Sequence, residues 1–444
     1  MKKRKLTPAK TIALCFFAVI LVGTLLLMLP FASRKPGSIG FVDSLFTATS
    51  ATCVTGLAIA DTYTAWTSFG QLVILALIQI GGLGFLTIIA SFFMLLGKKL
   101  GLFDRRVLMQ SAGDTTLGGI RVLLRRIVPI SLLVELAGAA VLATQFVPDF
   151  GVRRGLYASA FHAISAFCNA GFDILGMRTP DSSLLAYNAN PLVILTISAL
   201  IILGGLGFFV WTDVLQTRMR WRKLQVHSKL VLTMTAALLL GAWVLLLGFE
   251  WNHAFSGMPV GQKILNAFFC AVSPRTAGFY SVNMATLSDS GTLTTMVLMF
   301  IGGGSGSTAG GIKITTFAVL LLTTISAARG RMRVHACRHA VSRETLRQAT
   351  SILFIYLGMT LAAVLAISAI EPFGLKAVAF EAVSAIGTVG LTLGITPLLT
   401  AAGKLILTVL MYAGRIGGMT FVLMFTERRS EPPVDRPEAK IMIG

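Results

Sequence analysis

Phe46-TATSATCVT-Gly56-Leu57 is the first of four similar stretches, followed by Phe161-HAISAFCNA-Gly171-Phe172, Phe268-FCAVSPRTA-Gly278-Phe279 and Phe380-EAVSAIGTV-Gly390-Leu391. Each places phenylalanine and glycine ten residues apart, with Leu or Phe after the glycine. Successive glycines lie 115, 107 and 112 residues apart, so one unit of roughly a hundred residues is used four times. Four copies of one loop can ring one axis. A ring of loops whose backbone carbonyls replace the water shell of a cation is how an ion filter is built.

Working outward, 55% of the 444 residues are hydrophobic and 13% charged, and apolar runs near twenty residues recur from end to end. Such runs match a bilayer core of about 30 Å and imply a polytopic membrane protein. The first, Thr11 to Leu29, follows Met1-KKRK; it is too long for a signal-peptide core and no small-residue cleavage site follows, so it reads as a retained span. Residues 1–10, 97–128, 216–230, 327–347 and 427–440 hold 27 of the 38 basic residues. All five stretches fall on one side of an even-numbered topology, which makes them cytoplasmic by the positive-inside rule and puts both termini inside. The +20 net charge is therefore mainly topogenic, and no nucleic-acid partner is expected.

Each unit reads as span, half-span, filter, span. The outer spans fall at about 11–30, 124–146, 229–249 and 348–370, and the inner ones at about 70–96, 191–216, 292–326 and 403–426. Half-spans at about 42–52, 156–167, 261–273 and 375–386 are too short to cross and must re-enter. Irregular backbone at membrane depth is tolerated where it lines water, so the segment after each half-helix should face a central path. Asp43 is placed to cap the first half-helix, and the negative C-terminal ends of all four would point at a cation. The expected fold is an all-α polytopic membrane protein of four helix–pore-helix–helix units, eight transmembrane helices around one pseudo-fourfold pore. The units divide at 1–100, 101–220, 221–335 and 336–427, with a tail at 428–444.

Thr52-CVTGLAIAD, Phe167-CNAGF, Ser273-PRTAGF and Gly387-TVGLT, together with Gly81-GLGF, Gly302-GGSGSTAGGIK and Met411-YAGRIG, closely resemble the Ktr/Trk/HKT superfamily of potassium transporters. Nearly the whole chain is covered, and the start of the first span near residue 11 looks most like the membrane subunit of bacterial Ktr systems, without the extra helix pair usual in Trk subunits. The resemblance implies a filter formed by Thr52, Cys53, Val54, Thr55 and Gly56; Cys168, Asn169, Ala170 and Gly171; Arg275, Thr276, Ala277 and Gly278; and Gly387, Thr388, Val389 and Gly390. Glycine in all four copies implies potassium, held by backbone carbonyls. Arg275 is expected to point behind the filter, because a cation facing the ion would oppose conduction.

A second repeated signal lies 25, 33, 24 and 24 residues after the four glycines: Gly81-GLGF, Gly204-GLGF, Gly302-GGSG and Gly414-RIGG. The first two read as packing glycines. The third, Gly302, Gly303, Gly304, Ser305, Gly306, Ser307, Thr308, Ala309, Gly310 and Gly311, holds six glycines in ten residues mid-span, where each costs about 1 kcal/mol in a helix. By resemblance it is an intramembrane gating loop, with Lys313 at its edge and Arg415 of the last inner span beside it. A phosphate loop is excluded, since Ile312 displaces the lysine and no strand precedes it.

No enzyme is expected: Cys15, Cys53, Cys168, Cys270 and Cys337 show neither metal nor disulfide spacing, and the five histidines form no metal motif. His335 and His339 sit in an arginine-rich stretch and read as solvated surface. Glu135 and Glu381, in apolar context, read as braced or water-facing. A carrier with alternating access is the rival within transport, and a membrane-embedded enzyme a distant one. The resemblance further implies a homodimer joined partly through residues 428–444. It also implies a separate cytosolic KtrA-type (RCK-type) nucleotide-binding ring on which ATP and ADP act, with cyclic di-AMP as a candidate inhibitor. No cofactor is expected in this chain itself, and membrane lipids are the remaining partners. The resulting expectation is potassium uptake at a bacterial cell membrane.

Overall fold

The computed structural model describes residues 7–35, 37–84, 120–331, 333–337 and 339–425. The tail at 428–444, the basic N-terminus and most of the 97–128 stretch lie outside the described residues. In chain order the helices are α1 (Pro8–Leu27), α2 (Phe41–Thr52), α3 (Ser68–Leu83), α4 (Ile120–Phe150), α5 (Val152–Phe167), α6 (Pro191–Leu206), α7 (Phe208–Thr217) and α8 (Val226–Glu250). They continue as α9 (Val260–Val272), α10 (Asp289–Phe300), α11 (Ile314–Ala328), α12 (Arg343–Ile370), α13 (Leu375–Gly387), α14 (Ala401–Ile416) and α15 (Gly418–Phe425). One antiparallel pair of two-residue strands, His335–Ala336 with His339–Ala340, is the β-sheet among the described residues.

Helices α1, α4, α8 and α12 are long and apolar enough to cross a membrane, and at most 33% of each crossing window is buried in the protein. Leu14, Leu133, Val244 and Leu365 are exposed on them, as lipid-facing residues are. Each is followed by a short helix of 12 to 16 residues, α2, α5, α9 or α13. At about 1.5 Å per residue none reaches across about 30 Å. The N-cap of α2 is Gly40, with no side-chain cap; Asp43 lies in the first turn and is committed instead to Lys404 of α14 at 2.8 Å. The expectation that Asp43 caps this helix is thereby corrected.

Helices α3, α6, α10 and α14 start from polar caps, Thr67, Asn190, Ser288 and Thr400, whose side chains accept backbone amides. Two caps are held by buried carboxylates at the ends of the long helices. Glu250 accepts from the Ser288 hydroxyl at 2.6 Å, and Glu371 from that of Thr400 at 2.6 Å. The same end of the molecule carries four ties in cyclic order. Tyr157 of α5 donates to Gln71 of α3 at 3.2 Å, and Gln262 of α9 to Asn188 ahead of α6 at 2.8 Å. Lys376 of α13 pairs with Asp289 of α10 at 2.7 Å, and Lys404 of α14 with Asp43 of α2 at 2.8 Å. Each short helix is thus bound to the third helix of the unit before it or, for α9, to the segment leading into that helix, and the last tie closes on the first unit.

At the other end the expected continuous inner spans are broken. Helix α6 stops at Leu206, and the chain bends by 92° into α7. Helix α14 stops at Ile416 before α15, and α3 at Leu83, the remainder of the span expected at 70–96 lying outside the described residues. The residues at these points are Gly84 (φ 83°), Gly207 (φ 99°) and Gly417 (φ 88°), and their positive φ is open chiefly to glycine. The segments read as single spans at 191–216 and 403–426 are therefore two helices each.

Candidate functional site

In each unit the chain leaves its short helix through a backbone of alternating hand. Val54, Asn169, Thr276 and Thr388 have φ of 56°, 59°, 67° and 50°, and two residues on Gly56, Gly171, Gly278 and Gly390 have φ of 94°, 71°, 77° and 92°. The residue between is never left-handed. Carbonyls that would alternate along a strand are turned toward one side by this alternation. Placing valine and threonine in the left-handed region costs about 1–3 kcal/mol each and persists only where the surroundings over-determine it.

Those surroundings include a serine that the spacing argument missed. Amides of Thr55, Ala170 and Val389 donate to the carbonyls of Ser50, Ser165 and Ser384 at 2.8 Å, and that of Ala277 to Ser273 at 2.9 Å. The serine hydroxyls reach the same loops: Ser50 and Ser384 accept from the amides of Gly56 and Gly390 at 3.1 Å, Ser165 donates to the Phe172 carbonyl at 2.7 Å, and Ser273 to that of Phe279. The serine stands four residues after a fully buried phenylalanine, Phe46, Phe161, Phe269 or Phe380. In the third unit this is Phe269 rather than Phe268, because that loop is one residue tighter; the ten-residue spacing there came from two adjacent phenylalanines.

The four glycines meet in a closed cycle. A Cβ at Gly56 would stand 2.5 Å from the Ala170 carbonyl oxygen, one at Gly171 2.7 Å from that of Ala277, and one at Gly278 2.6 Å from that of Val389. A Cβ at Gly390 would strike the Thr55 carbonyl, which returns the cycle to the first unit. All four glycines face an open cavity of about 440 Å³ whose wall also carries Asp61, Asp173 and Asp181. Burial, with Asp61 beside it, pushes the Asp173 carboxyl up to about 7, and the same two causes raise Asp181.

The glycine-rich loop 302–311 lies on the other side of this cycle, between α10 and α11. Its neck is closed where the Gly302 amide donates to the Ile312 carbonyl at 2.8 Å. Gly304 donates to the Gly205 carbonyl at 2.8 Å, and Gly306 accepts from the amide of Phe208 at 2.8 Å, which seats the loop in the break of α6. Thr308 donates to the Phe167 carbonyl at 3.2 Å and to Asn169 Oδ1 at 3.1 Å. A Cβ at Gly311 would be 3.1 Å from the Gly387 carbonyl, and one at Gly310 would run into Thr388. Ser305 bonds Thr315 at 3.1 Å and Ser307 donates to Gly304 at 2.6 Å, so both serve the loop itself.

Two cations grip it. Lys313 Nζ donates to the Ala309 carbonyl at 2.6 Å, while the Arg415 guanidinium donates to the carbonyls of Thr308 and Gly81 and, at 3.3 Å, Gly82. Tyr356 of α12, not foreseen from sequence, donates to the carbonyls of Gly311 at 3.4 Å and Gly414 at 3.2 Å. The Arg275 side chain is not part of this group. Its guanidinium donates to Thr235 of α8 at 3.3 Å, and only its carbonyl joins the loops, accepting from Asn169 Nδ2 at 3.2 Å. Gly81, Gly204 and Gly414 pack on the carbonyls of Thr52, Phe167 and Ile386 at the last turns of their own units' short helices.

The cation transport protein family TrkH matches residues 6–432. This chain belongs to that family. Among its relatives, the potassium/sodium uptake protein NtpJ of Enterococcus hirae is 43% identical over 100% of this chain and 99% of its own length. The Ktr system potassium uptake proteins B of Bacillus subtilis and Vibrio alginolyticus are 41% and 36% identical, over 99% and 98% of this chain and 97% and 94% of theirs. The crystal structure of the potassium transporter TrkH from Vibrio parahaemolyticus superposes with a TM-score of 0.74 over 96% of this chain and 86% of that one. At 18% identity, that likeness is one of fold. As a TrkH-family chain it is a membrane transport protein, and the cycle of glycines, the loop and the two cations lie within the matched residues.

Proposed function

We propose that this chain is the ion-translocating subunit of a bacterial potassium uptake system and that it conducts through one channel-like pore on the axis of the four loops. The observation that carries this reading is the closed cycle in which each of Gly56, Gly171, Gly278 and Gly390 abuts the carbonyl that precedes the next glycine. Carbonyls packed so tightly around one axis suit a dehydrated cation. The four units then contribute eight spans in all, each third helix counting as one span despite its break, with both termini in the cytoplasm. The names of the relatives, potassium/sodium uptake and Ktr potassium uptake, support potassium as the cargo.

Thr52 to Gly56, Cys168 to Gly171, Arg275 to Gly278 and Gly387 to Gly390 form the selectivity filter in this reading. The loop 302–311, clasped by Lys313 and Arg415, is the gate: it occludes the path below the filter, and two positive charges at membrane depth oppose a cation that tries to pass. Opening must break the contacts of Arg415 with Thr308 and Gly81. A homodimer and a cytosolic nucleotide-binding ring acting on the gate complete the proposal; the Ktr system names of relatives support partnership with other components of such a system.

The test is cation flux into vesicles holding the purified chain, under potassium, rubidium and sodium gradients, for wild type and Gly56→Ser. Potassium-selective flux that loses selectivity in the variant is the expected result. Absence of any passive flux, even after residues 302–311 are shortened, would overturn the pore and favour an alternating-access carrier.

A further inference from the structure

Three residues before each glycine of the cycle, a side chain or backbone position backs onto the third helix of the preceding unit. In the fourth unit, a Cβ at Gly387 would stand 2.5 Å from the Met299 carbonyl of α10. In the first, Cys53 belongs to a packed cluster that Tyr412 of α14 adjoins, and Tyr412 donates to the Ala13 carbonyl of α1 at 2.7 Å. In the third, Arg275 lies against Ile201, Ile202 and Gly205 and donates to Thr235 of α8. The second niche differs in chemistry. Cys168 Sγ donates to Gln79 Oε1 at 3.4 Å, and Gln79 Nε2 donates onward to both carboxylate oxygens of Glu135 on α4, at 3.1 and 3.2 Å.

Glu135 is 4% exposed in the most apolar part of a crossing helix, where a carboxylate is costly. Of the buried glutamates among the described residues, Glu250 and Glu371 hold helix caps, and Glu381 accepts the hydroxyls of Thr392 and, at 3.0 Å, Thr396. Glu135 alone has a partner that leads to a loop of the cycle at its short-helix end. The next residue, Asn169, is left-handed and is held from the opposite side by Thr308 and the Arg275 carbonyl. The second of the four loops, Cys168 to Gly171, is therefore fixed between the glycine-rich loop in front and the Glu135–Gln79–Cys168 chain behind. Two leucines at 79 and 135 would join α3 and α4 as well, without directing a hydrogen bond at Cys168.

We propose that Glu135 is a positioning residue for ion selection: through Gln79 and Cys168 it fixes the second of the four loops, Cys168 to Gly171, so that its carbonyls suit potassium better than sodium. The proposal rests on the reading of the four loops as a potassium filter. Its test uses ion-dependent thermal unfolding of the purified full chain in potassium, sodium or choline chloride, which requires no open gate. Wild type should reach half-maximal stabilisation at less potassium than sodium. Gln79→Leu and Glu135→Leu should each shrink that sodium-to-potassium ratio about fivefold or more, the effect of one lost buried hydrogen bond, and together no further. Glu135→Gln, which keeps an acceptor for the Gln79 amide, should recover most of the ratio, as a merely space-filling role would not require.

Should the leucine variants fail to fold, Cys168→Ala carries the test, with Cys168→Ser, which keeps a donor, retaining more of the ratio than alanine. An unchanged ratio in the folded leucine variants or in Cys168→Ala overturns the proposal and leaves the filter reading standing. A wild type that neither ion stabilises takes both down.

Discussion

On the cavity side of the four glycines the units of this protein are nearly interchangeable, whereas on the loop side they are not. Each unit supplies a short helix, a serine-held loop of alternating hand, a glycine and a tie to its neighbour. Beyond the glycines, among the described residues, the glycine-rich loop 302–311 lies between the third unit's α10 and α11, Arg415 sits on the fourth unit's α14, and the second unit's α6 bends by 92° into α7. In the proposed reading the repeated half surrounds the ion path and the divergent half blocks it. Ion selection needs equal contacts around an axis, but a gate needs one element that can move, and four identical obstructions would have to move together.

The most severe way to break this comparison is to break the cycle. Gly390→Ala places a methyl group on the Thr55 carbonyl at a residue with φ of 92°, and potassium-selective flux should fall about a hundredfold, equivalent to ~3 kcal/mol. Equal selectivity in the variant would mean that the glycines do not face the ion. On the other side of the cycle the sign reverses. Arg415→Gln removes charged hydrogen bonds to Thr308 and Gly81, each contributing about 1.5–3 kcal/mol, and basal flux should rise by about tenfold or more with the potassium-to-sodium ratio unchanged. A drop in flux would mark Arg415 as a structural residue.

Smaller perturbations sharpen the contrast. Gly207→Ala and Gly417→Ala strain the breaks by about 1–2 kcal/mol each, so thermal stability should decline while ion preference holds. At the cavity, the Asp173 carboxyl, raised to about 7, takes up a proton as the pH on the cavity side falls through that value, and one negative charge leaves the wall. Asp61, Asp181 and Tyr280 face the same cavity. Uptake from dilute potassium should therefore fall about twofold between about pH 8 and pH 6, and Asp173→Asn should flatten the profile. Smallest of all, Lys376→Ala, at an exposed pair with Asp289, should leave stability within error, while Lys404→Ala, at the half-buried pair with Asp43, should cost ~0.5–1 kcal/mol in unfolding assays.

How much of this was legible before folding differs by kind of feature. The four glycines, the glycine-rich loop and Arg415 stand out because each violates what an apolar span prefers. The bracing serines stand at an equally fixed spacing, but serine is common near the end of a short helix and its residue type alone does not mark it as a brace. Phe268 was matched in place of Phe269, since spacing alone cannot tell two adjacent phenylalanines apart when the loop loses one residue. The helix ends at Gly84 and Gly207 hid among glycines read as packing residues. Composition does not distinguish a glycine that admits a neighbour, as Gly204 admits the Phe167 carbonyl, from one that turns the chain.

Residue order alone therefore settled what is local: apolar length, the fourfold repetition, and the points where a helix is costly. Partners far apart in the chain were settled only on folding. Arg415 reaches Gly81, Lys404 reaches Asp43, and Gly390 abuts the Thr55 carbonyl, each across more than three hundred residues. Hydropathy and spacing record what each segment must bury, but closure of a ring depends on the direction in which each carbonyl and side chain points once all four segments are packed. That direction is a property of the assembled backbone, and no single segment contains it.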